Sequence, residues 1–467
     1  MENQHIKLKK QLESAVNQIN ESNNNGIISY TFEFDLDDLL KVSTTHEIKS
    51  DFNFYWHQPY SKLILAGLNQ ASSFILTNKE DESHFNDSIK QTLDSIISIS
   101  ENKNIGPKMI GGSMFSYKSN QLSIWNKIPK SKYVLPECLA TKNDEGSWLT
   151  ISKKIYRNTN IDNTIDSFVN ICSMYKKYFS IDLPEIQKHI FRDVIDLPQK
   201  EDYYNIIDSV IKQIEDGNLD KVVISRMKHI ILEKKLCISS IMRNLIELYP
   251  ECLNYYFNFS NSIFFGSSPE RLIQKKEQTI ITEAIAGTAP RGRNMKEDNN
   301  YECGLLNSKK DKKQHQFVVK DIINKINPIS NSFDIPNSPS IIKLKNVQHL
   351  KTIINANIDK KYYLVDLIKI LHPTPAIAGT PTDKALNLIL LNETNNRGWY
   401  SGPIGWMDNN GNGDIFVALR SAFQTNKNVY LFSGSGIVLE SIPSLEWDET
   451  EMKLDPILNS LTGDIHE

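Results

Sequence analysis

The amino-acid sequence predicts a mixed α+β fold, with largely antiparallel sheets in a sandwich flanked by helices. The 467 residues are 40% hydrophobic and 23% charged, which is typical of a globular protein with an extensive core. Strand-like and helix-like runs are intermixed along the chain, and several neighbouring strand-like runs are spaced like hairpins. This pattern favours antiparallel pairing over a doubly wound parallel sheet.

The composition also limits the class of protein. A net charge of -3 offers no general attraction for nucleic acid or anionic lipid, although a few cations in one cleft would still bind a small anion. The five cysteines are widely spaced without a Cys-x-x-Cys pair, so neither a disulfide framework nor a zinc site is indicated. No leader-like or membrane-length apolar segment occurs. We expect a cytoplasmic monomer or weak dimer without nucleic-acid or membrane partners.

The first part of the chain, to residue 196, has alternating short elements and little recognisable chemistry. Strands are predicted at Ile27–Phe34 and Lys62–Ala66, and a helix at His84–Ile99. The segment Val194–Lys200 is predicted to be a connector into the second part, residues 197–467.

Stronger patterns follow in the second part. Apolar residues at helical spacing predict a helix over Tyr203–Ile214, which ends before Gly217. The β-branched run Lys221–Arg226 then predicts a strand, and Asp311–Ile326 predicts a further helix. Towards the C-terminus, strand-like runs at Ile415–Arg420 and Val429–Ser433 alternate with glycine-rich corners.

Two glycine-rich segments resemble binding motifs without meeting their requirements. Asp408–Asp414 begins like a calcium loop but has Leu419 at the position of the final glutamate, so a hairpin turn is predicted. Gly434-Ser-Gly436 lacks the third glycine of a dinucleotide fingerprint.

Charged residues near the ends of these runs are individually uninformative. On position alone, Lys221 is a solvated lysine at a strand end and Glu270 a surface carboxylate. Glu446 and Glu449 share one face of a predicted helix with Lys453, as in many salt-bridged surface helices.

Their sequence contexts, taken in order, are specific. The chain contains, successively, Lys221-Val-Val-Ile-Ser-Arg226, Phe265-Gly-Ser-Ser-Pro-Glu270-Arg-Leu272, Thr282-Glu-Ala-Ile-Ala-Gly-Thr288, Leu371-His-Pro-Thr-Pro-Ala376-Ile-Ala-Gly379, Arg397-Gly-Trp-Tyr-Ser-Gly402, Val417-Ala-Leu-Arg420-Ser-Ala, Phe432-Ser-Gly-Ser-Gly-Ile437 and Glu446-Trp-Asp-Glu449-Thr-Glu-Met-Lys453-Leu. This succession resembles the chorismate-utilising enzymes, which include anthranilate, aminodeoxychorismate, salicylate and isochorismate synthases. The resemblance covers the second part as the catalytic region, and residues 1–196 are similar to the more variable part of the same fold.

The resemblance implies roles for the reacting groups. Ammonia-using members usually carry Gln where this chain has Lys221, and a lysine suits water as the nucleophile. Lys221 would be the general base for attack at C2 of chorismate, which requires a lowered pKa, and Glu270 the general acid for the C4 hydroxyl. Ala376 stands where anthranilate and salicylate synthases generally have Thr. Together these residues imply isochorismate synthesis.

The resemblance also implies a substrate site. Arg420 would bind one substrate carboxylate beside Tyr400 and the amides of Gly434 and Gly436. Lys453 would bind the other carboxylate near Gly287. Completing the predicted substrate-binding set are Ala376, Ile377 and Phe432.

Mg²⁺ is the cofactor that the resemblance implies. The family binds it through two glutamates, of which Glu449 matches one, with Glu446 as a water-mediated neighbour. The other glutamate normally precedes a histidine, but here Gln314 precedes His315. We therefore expect weaker metal binding, with Asp311 compensating through water.

Two alternatives remain open at this point. A salicylate synthase would also keep Lys221 and would then eliminate pyruvate. A catalytically silent partner subunit is favoured only by Gln314. The long N-terminal part is more similar to the menaquinone-type enzymes than to those of siderophore or salicylate pathways.

Overall fold

The protein is described here by a computed structural model. It describes residues 2–21, 25–44, 52–58, 62–77, 81–102, 105–117, 124–157, 159–179, 182–345 and 347–463. The α-helices are α1 (Glu2–Glu21), α2 (Glu82–Asp94), α3 (Ile161–Tyr178), α4 (Lys200–Glu215), α5 (Ile238–Leu248), α6 (Met295–Asn307), α7 (Lys309–Ile326), α8 (Leu364–Leu371), α9 (Thr382–Asn392) and α10 (Pro443–Thr462).

Strands make up most of the remaining regular structure. In chain order they are β1 (Gly26–Glu33), β2 (Asn53–Gln58), β3 (Leu63–Leu68), β4 (Ser72–Leu76), β5 (Ile96–Ile99), β6 (Lys108–Ser113), β7 (Ser131–Leu135), β8 (Cys138–Asn143), β9 (Gly146–Ile155), β10 (Phe191–Leu197), β11 (Lys221–Leu232), β12 (Leu253–Phe259), β13 (Ser262–Ser268), β14 (Arg271–Lys276), β15 (Thr279–Pro290), β16 (Ser330–Asp334), β17 (Ser340–Lys343), β18 (Val347–Ile358), β19 (Gly379–Thr380), β20 (Pro403–Asp408), β21 (Gly413–Val417), β22 (Ser421–Thr425) and β23 (Asn428–Ile437).

These strands form two large sheets. The 13-stranded sheet has the order β10-β11-β23-β22-β13-β12-β2-β3-β8-β9-β1-β5, with β19 added beside β11. The 10-stranded sheet has the order β16-β18-β15-β14-β21-β20-β6-β7-β4, with β17 added beside β18. Among the described strands every pairing is antiparallel except that of β1 with β5. The predicted α+β class with largely antiparallel sheets is confirmed.

Both sheets contain strands from either side of residue 196. In the larger sheet β12 pairs with β2, and in the smaller sheet β20 pairs with β6. Residues 1–196 therefore extend the sheets of residues 197–467 instead of forming sheets of their own.

The elements next to the predicted site form for local reasons. Helix α4 buries Tyr203, Ile207, Val210 and Ile214, and each such burial stabilises the fold by about 1.5–3 kcal/mol. The chain then reverses at Gly217, whose φ of 74° suits glycine, and enters β11. Helix α7 is capped by Ser308, which precedes its first residue and whose side chain accepts a hydrogen bond from the Asp311 backbone N–H at 3.2 Å.

Some predicted boundaries were wrong. The helix predicted over His84–Ile99 ends at Asp94. Ile96–Ile99 is instead the strand β5, because these mostly apolar residues pair with β1 in the larger sheet. The predicted connector Val194–Lys200 overlaps β10, which pairs with β11 at the sheet edge. The strand predicted to reach Arg420 ends at Val417, and Arg420 has a φ of 47°. Gly434-Ser-Gly436 lies within β23 and is not a corner.

Two other expectations concern turns and membranes. Asp408–Asp414 is the predicted hairpin turn between β20 and β21, with Gly411 at a φ of 75°. Within the described ranges, no helix has both the length and the apolar character needed to cross a membrane.

Candidate active site

One cleft brings together nearly all of the predicted site residues. It is partly open to solvent and lies where β11, β15 and β23 meet α7 and α10. The predicted residues that line it are Lys221, Glu270, Gly287, Asp311, Gln314, Ala376, Ile377, Tyr400, Arg420, Phe432, Gly434, Gly436, Glu449 and Lys453. Glu446 does not line the cleft but is buried next to it.

Lys221 is the first residue of β11 and is only 3% exposed. Burial and then the nearby Lys453 ammonium lower the pKa of its amine to about 8, against the opposing effect of the nearby carboxylates. Gly436 leaves room for the side chain, since a methyl group there would lie 2.7 Å from the Lys221 Cε. About one Lys221 in ten is therefore a neutral amine at pH 7, far more than for an ordinary lysine, and a base requires this neutral form.

Glu270 lies in the turn between β13 and β14 and is 5% exposed. Burial raises the pKa of its carboxyl to about 8, opposed by the Lys221 charge and assisted by Glu283. Arg271 and Lys351 hold Glu283 at 3.0 and 2.9 Å. The cleft thus contains a carboxylic acid that stays protonated at neutral pH.

The Arg420 guanidinium is held at the cleft by His349. Arg420 Nη2 lies 3.4 Å from His349 Nε2, and His349 Nδ1 lies 3.1 Å from the Gly287 carbonyl oxygen. A guanidinium only donates and a carbonyl only accepts, so His349 must carry its hydrogen on Nδ1. Burial and the Arg420 charge lower the pKa of His349 to about 3, which keeps this histidine neutral.

Apolar and aromatic residues line the cleft together with these charged groups. The rings of Tyr400 and Phe432 stack with centroids 5.4 Å apart, and Ala376, Ile377 and Leu419 also contribute to the lining. A cleft with both cations and apolar surface suits an anion that carries a carbon ring.

Helices α7 and α10 bring oxygen donors to one end of the cleft. Glu449 accepts a hydrogen bond from Lys453 at 2.6 Å, and Lys453 also donates to the Gly434 carbonyl at 2.9 Å. Burial alone would raise the pKa of Glu449, but the Lys453 charge and hydrogen bond lower it overall. Gln314 donates from Nε2 to the Gly436 carbonyl at 3.2 Å, which leaves its Oε1 as an acceptor.

Asp311 and Glu446, also on α7 and α10, lie near the groups just described. A methyl group on Gly287 would lie 3.3 Å from Asp311 Oδ1, so this carboxylate reaches the Gly287 corner. Glu446 is paired with Lys310 at 3.3 Å, and its pKa is raised by burial and then by the Glu449 charge. Glu446 thus lies near Glu449 with the Lys310 ammonium as its direct partner, and its water-mediated role at a metal stays a prediction.

The donor set fits a hard divalent cation such as Mg²⁺, which takes oxygen ligands and commonly only one or two protein carboxylates. In the described part of the chain, no three His, Cys, Asp or Glu side chains converge as a complete metal cluster. Glu449 and the Gln314 amide oxygen would hold the ion, and water and substrate oxygens would supply the other positions.

Sequence reasoning missed several residues that line the cleft, including Lys310, His349, Arg397 and Ser401. His349 is a single histidine in a strand, which usually indicates a core residue. Arg397 lies in a quoted motif, but the carbonyls of Val223 and Ile377 that it reaches belong to other segments and leave no trace in the local sequence.

Comparisons with known proteins agree with this geometry. A family model described as "Chorismate binding enzyme" matches residues 12–462. The chain is 28% identical over 464 residues to the isochorismate synthase MenF of Bacillus subtilis, covering 98% of each chain. It is 42% identical over 203 residues to the salicylate biosynthesis isochorismate synthase of Pseudomonas aeruginosa, covering 44% of this chain and 43% of the relative.

Solved structures share the fold. The menaquinone-specific isochorismate synthase MenF of Escherichia coli superposes with a TM-score of 0.78 at 23% identity, covering 97% of this chain and all of that chain (100%). Anthranilate synthase component I from Streptococcus pneumoniae gives 0.71 at 19% identity, covering 85% and 92%. At these identities the likeness concerns the fold alone.

Proposed function

Because this chain belongs to the chorismate-binding enzyme family, we propose that it is an isochorismate synthase, an isomerase that converts chorismate to isochorismate. One observation carries the proposal: a buried lysine and a buried carboxyl share one cleft, and the pKa of each is about 8. A base and an acid with these pKa values are suited to moving protons near neutral pH. Similarity to isochorismate synthases over nearly the whole chain supports the same reaction, and we assign it to menaquinone biosynthesis.

In the proposed reaction, the neutral Lys221 amine accepts a proton from water as the water oxygen bonds to C2. Both ring double bonds shift, from C1=C2 to C1=C6 and from C5=C6 to C4=C5, and the C4–O bond breaks. The Glu270 carboxyl gives its proton to the departing hydroxide, so one water is consumed and one released. The enzyme is left with Lys221 protonated and Glu270 ionised, and proton exchange with solvent restores both.

Substrate orientation depends on the charged ends of the cleft. Arg420 would bind one carboxylate through its planar fork, next to Tyr400 and the amides of Gly434 and Gly436. Lys453 would bind the other carboxylate near Gly287. The neutral His349 supports this assignment. It accepts a hydrogen bond from the Arg420 guanidinium but carries no charge, so the positive charge of Arg420 remains available to a substrate carboxylate.

Mg²⁺ is part of the proposal as the cofactor, with Glu449 and Gln314 as its protein ligands and Asp311 and Glu446 as water-mediated neighbours. When bound, the ion would neutralise and orient a substrate carboxylate. Gln314 contributes no charge, so this chain should hold Mg²⁺ less tightly than a site with two glutamates.

The test is to incubate purified protein with chorismate and Mg²⁺ and to identify the products by chromatography and mass spectrometry. Isochorismate alone is expected. Salicylate with pyruvate would instead identify a salicylate synthase, and absence of turnover at saturating Mg²⁺ would favour a non-catalytic partner subunit. Omitting chorismate and replacing Mg²⁺ by a chelator are the controls.

A further inference from the structure

Arg397 lines the cleft, yet each of its guanidinium nitrogens donates to a protein group. Its side chain is 2% exposed and pairs with Glu393, also buried, at the end of α9. Its Nη2 donates to the Val223 carbonyl at 2.8 Å, and its Nη1 donates to the Ile377 carbonyl at 2.7 Å. One guanidinium therefore binds two separate walls of the cleft.

One wall carries Lys221, the proposed base, and the other carries Ala376 and Ile377 of the proposed substrate site. Val223 follows Lys221 by two residues in β11, so the two side chains face the same side of the sheet. Ile377 follows Ala376 in the loop that enters β19. Glu393 completes the connection, because its Oε1 also accepts from the Ser225 backbone N–H at 2.8 Å.

Backbone hydrogen bonds also join this loop to the strand. Beyond the two-residue pairing of β19 with β11, the Val223 N–H donates to the Ala378 carbonyl and the Asp220 N–H to the Thr380 carbonyl, each at 2.8 Å. Arg397 also packs its guanidinium 4.3 Å from the centre of the Phe115 ring, which restricts its movement. The planar fork and this stacking fix both the distance and the direction of the two carbonyls.

We propose that Arg397, held by Glu393, is a positioning residue that sets the separation between the Lys221 strand and the Ala376–Ile377 loop. This inference rests on the proposed function, since the separation fixes where water lies between Lys221 and the substrate ring. A lysine at position 397 would keep the charge, but its donors share one nitrogen and cannot serve both carbonyls and Glu393 in one plane.

The experiment compares wild-type protein with Arg397→Lys and Arg397→Ala. We expect Arg397→Lys to lower kcat by about 10- to 100-fold, because misplacement by roughly 1 Å has that effect. KM for chorismate should change less than kcat does, since the carboxylate-binding side chains of Arg420 and Lys453 are not among the partners of the Arg397 guanidinium, although the loop it holds lines the cleft. Millimolar guanidinium should restore much of the kcat of Arg397→Ala, whereas potassium chloride at equal ionic strength should not.

Arg291→Lys is the matched control. Arg291 also pairs with a carboxylate, Asp298, and donates to a carbonyl, Leu344, at 2.7 Å, but it does not line the cleft. Its substitution should lower the melting temperature without changing kcat. If Arg397→Lys lost only thermal stability, or if guanidinium failed to restore kcat in folded Arg397→Ala, Arg397 would be merely structural and the proposal overturned.

A second measurement does not depend on turnover. The rate at which an amine reagent labels Lys221, read by peptide mass spectrometry relative to the exposed Lys361, should change in Arg397→Lys and not in Arg291→Lys. Should wild-type protein make no isochorismate, the proposed function fails and this labelling decides the positioning role alone. Equal Lys221 labelling in wild-type and Arg397→Lys would refute it.

Discussion

Gly436→Ala tests whether Lys221 must occupy its observed position. The added methyl group would lie 2.7 Å from Lys221 Cε and 3.3 Å from its Nζ, whereas ordinary contacts begin at 3.4 Å. The end of the lysine must therefore move by about 0.7 Å or more. Gly436 has no left-handed φ, so alanine adds no backbone strain there.

The expected effect falls on catalysis more than on folding. A base displaced by roughly 1 Å costs about 10- to 100-fold in kcat. Because the clash involves the mobile end of one side chain, the free energy of unfolding should fall by only about 1 kcal/mol. Steady-state formation of isochorismate measures the first effect, and thermal or denaturant unfolding measures the second.

Gly304→Ala provides the matched control. Gly304 lies in α6 with nothing within 4 Å of the added methyl group. Its substitution should leave kcat unchanged and should add up to about 1 kcal/mol to the free energy of unfolding. A folded Gly436→Ala protein with wild-type kcat would refute the reasoning, since the base would then tolerate displacement.

Three further predictions concern the reacting groups and the metal. Lys221→Ala should abolish isochorismate formation, while Lys221→Gln should allow some ammonia-dependent product, and full activity of Lys221→Ala would remove the base assignment. The dependence of kcat/KM on pH should be bell-shaped with a maximum near pH 8, because Lys221 becomes an active base above its pKa of about 8 and Glu270 stops being an acid above its own pKa of about 8. Glu270→Gln should lose most activity, because an amide cannot give up the proton, and its residual activity should lack the alkaline fall; wild-type activity or an unchanged profile would contradict the role of Glu270. Gln314→Glu should lower the Mg²⁺ concentration for half-maximal activity by about tenfold, or about 1.4 kcal/mol, and an unchanged value in a direct titration would remove Gln314 from the metal position.

The sequence correctly predicted those elements whose formation depends only on residues close together in the chain. The apolar face of α4, Gly217 after it and the β-branched start of β11 each depend on neighbouring residues, and all three lie where predicted. The helix predicted over His84–Ile99 failed because its last residues are apolar for a different reason: they pair with β1, a strand about 70 residues earlier.

In the candidate site, too, the sequence indicated residues that lie in specific motifs and missed residues that depend on contacts remote in sequence. The motif contexts identified Lys221 and Glu270, and the structure places both in one cleft, buried as their proposed roles require. His349 and Arg397 escaped prediction because their importance lies in which backbone carbonyls they reach. Those carbonyls belong to distant segments, and sequence patterns do not show how far apart such segments lie in space.

The pairing of β12 with β2 and of β20 with β6 limits how this protein could be divided. Removal of residues 1–196 would expose a strand in each sheet whose N–H and C=O groups are now bonded, opposite Asn53–His57 and Lys108–Gly112. Exposed edges of this kind recruit other strands, so a fragment of residues 197–467 would be prone to aggregate even though it carries every proposed catalytic group. For expression or for transplanting the active site, the whole chain is the smallest practical unit.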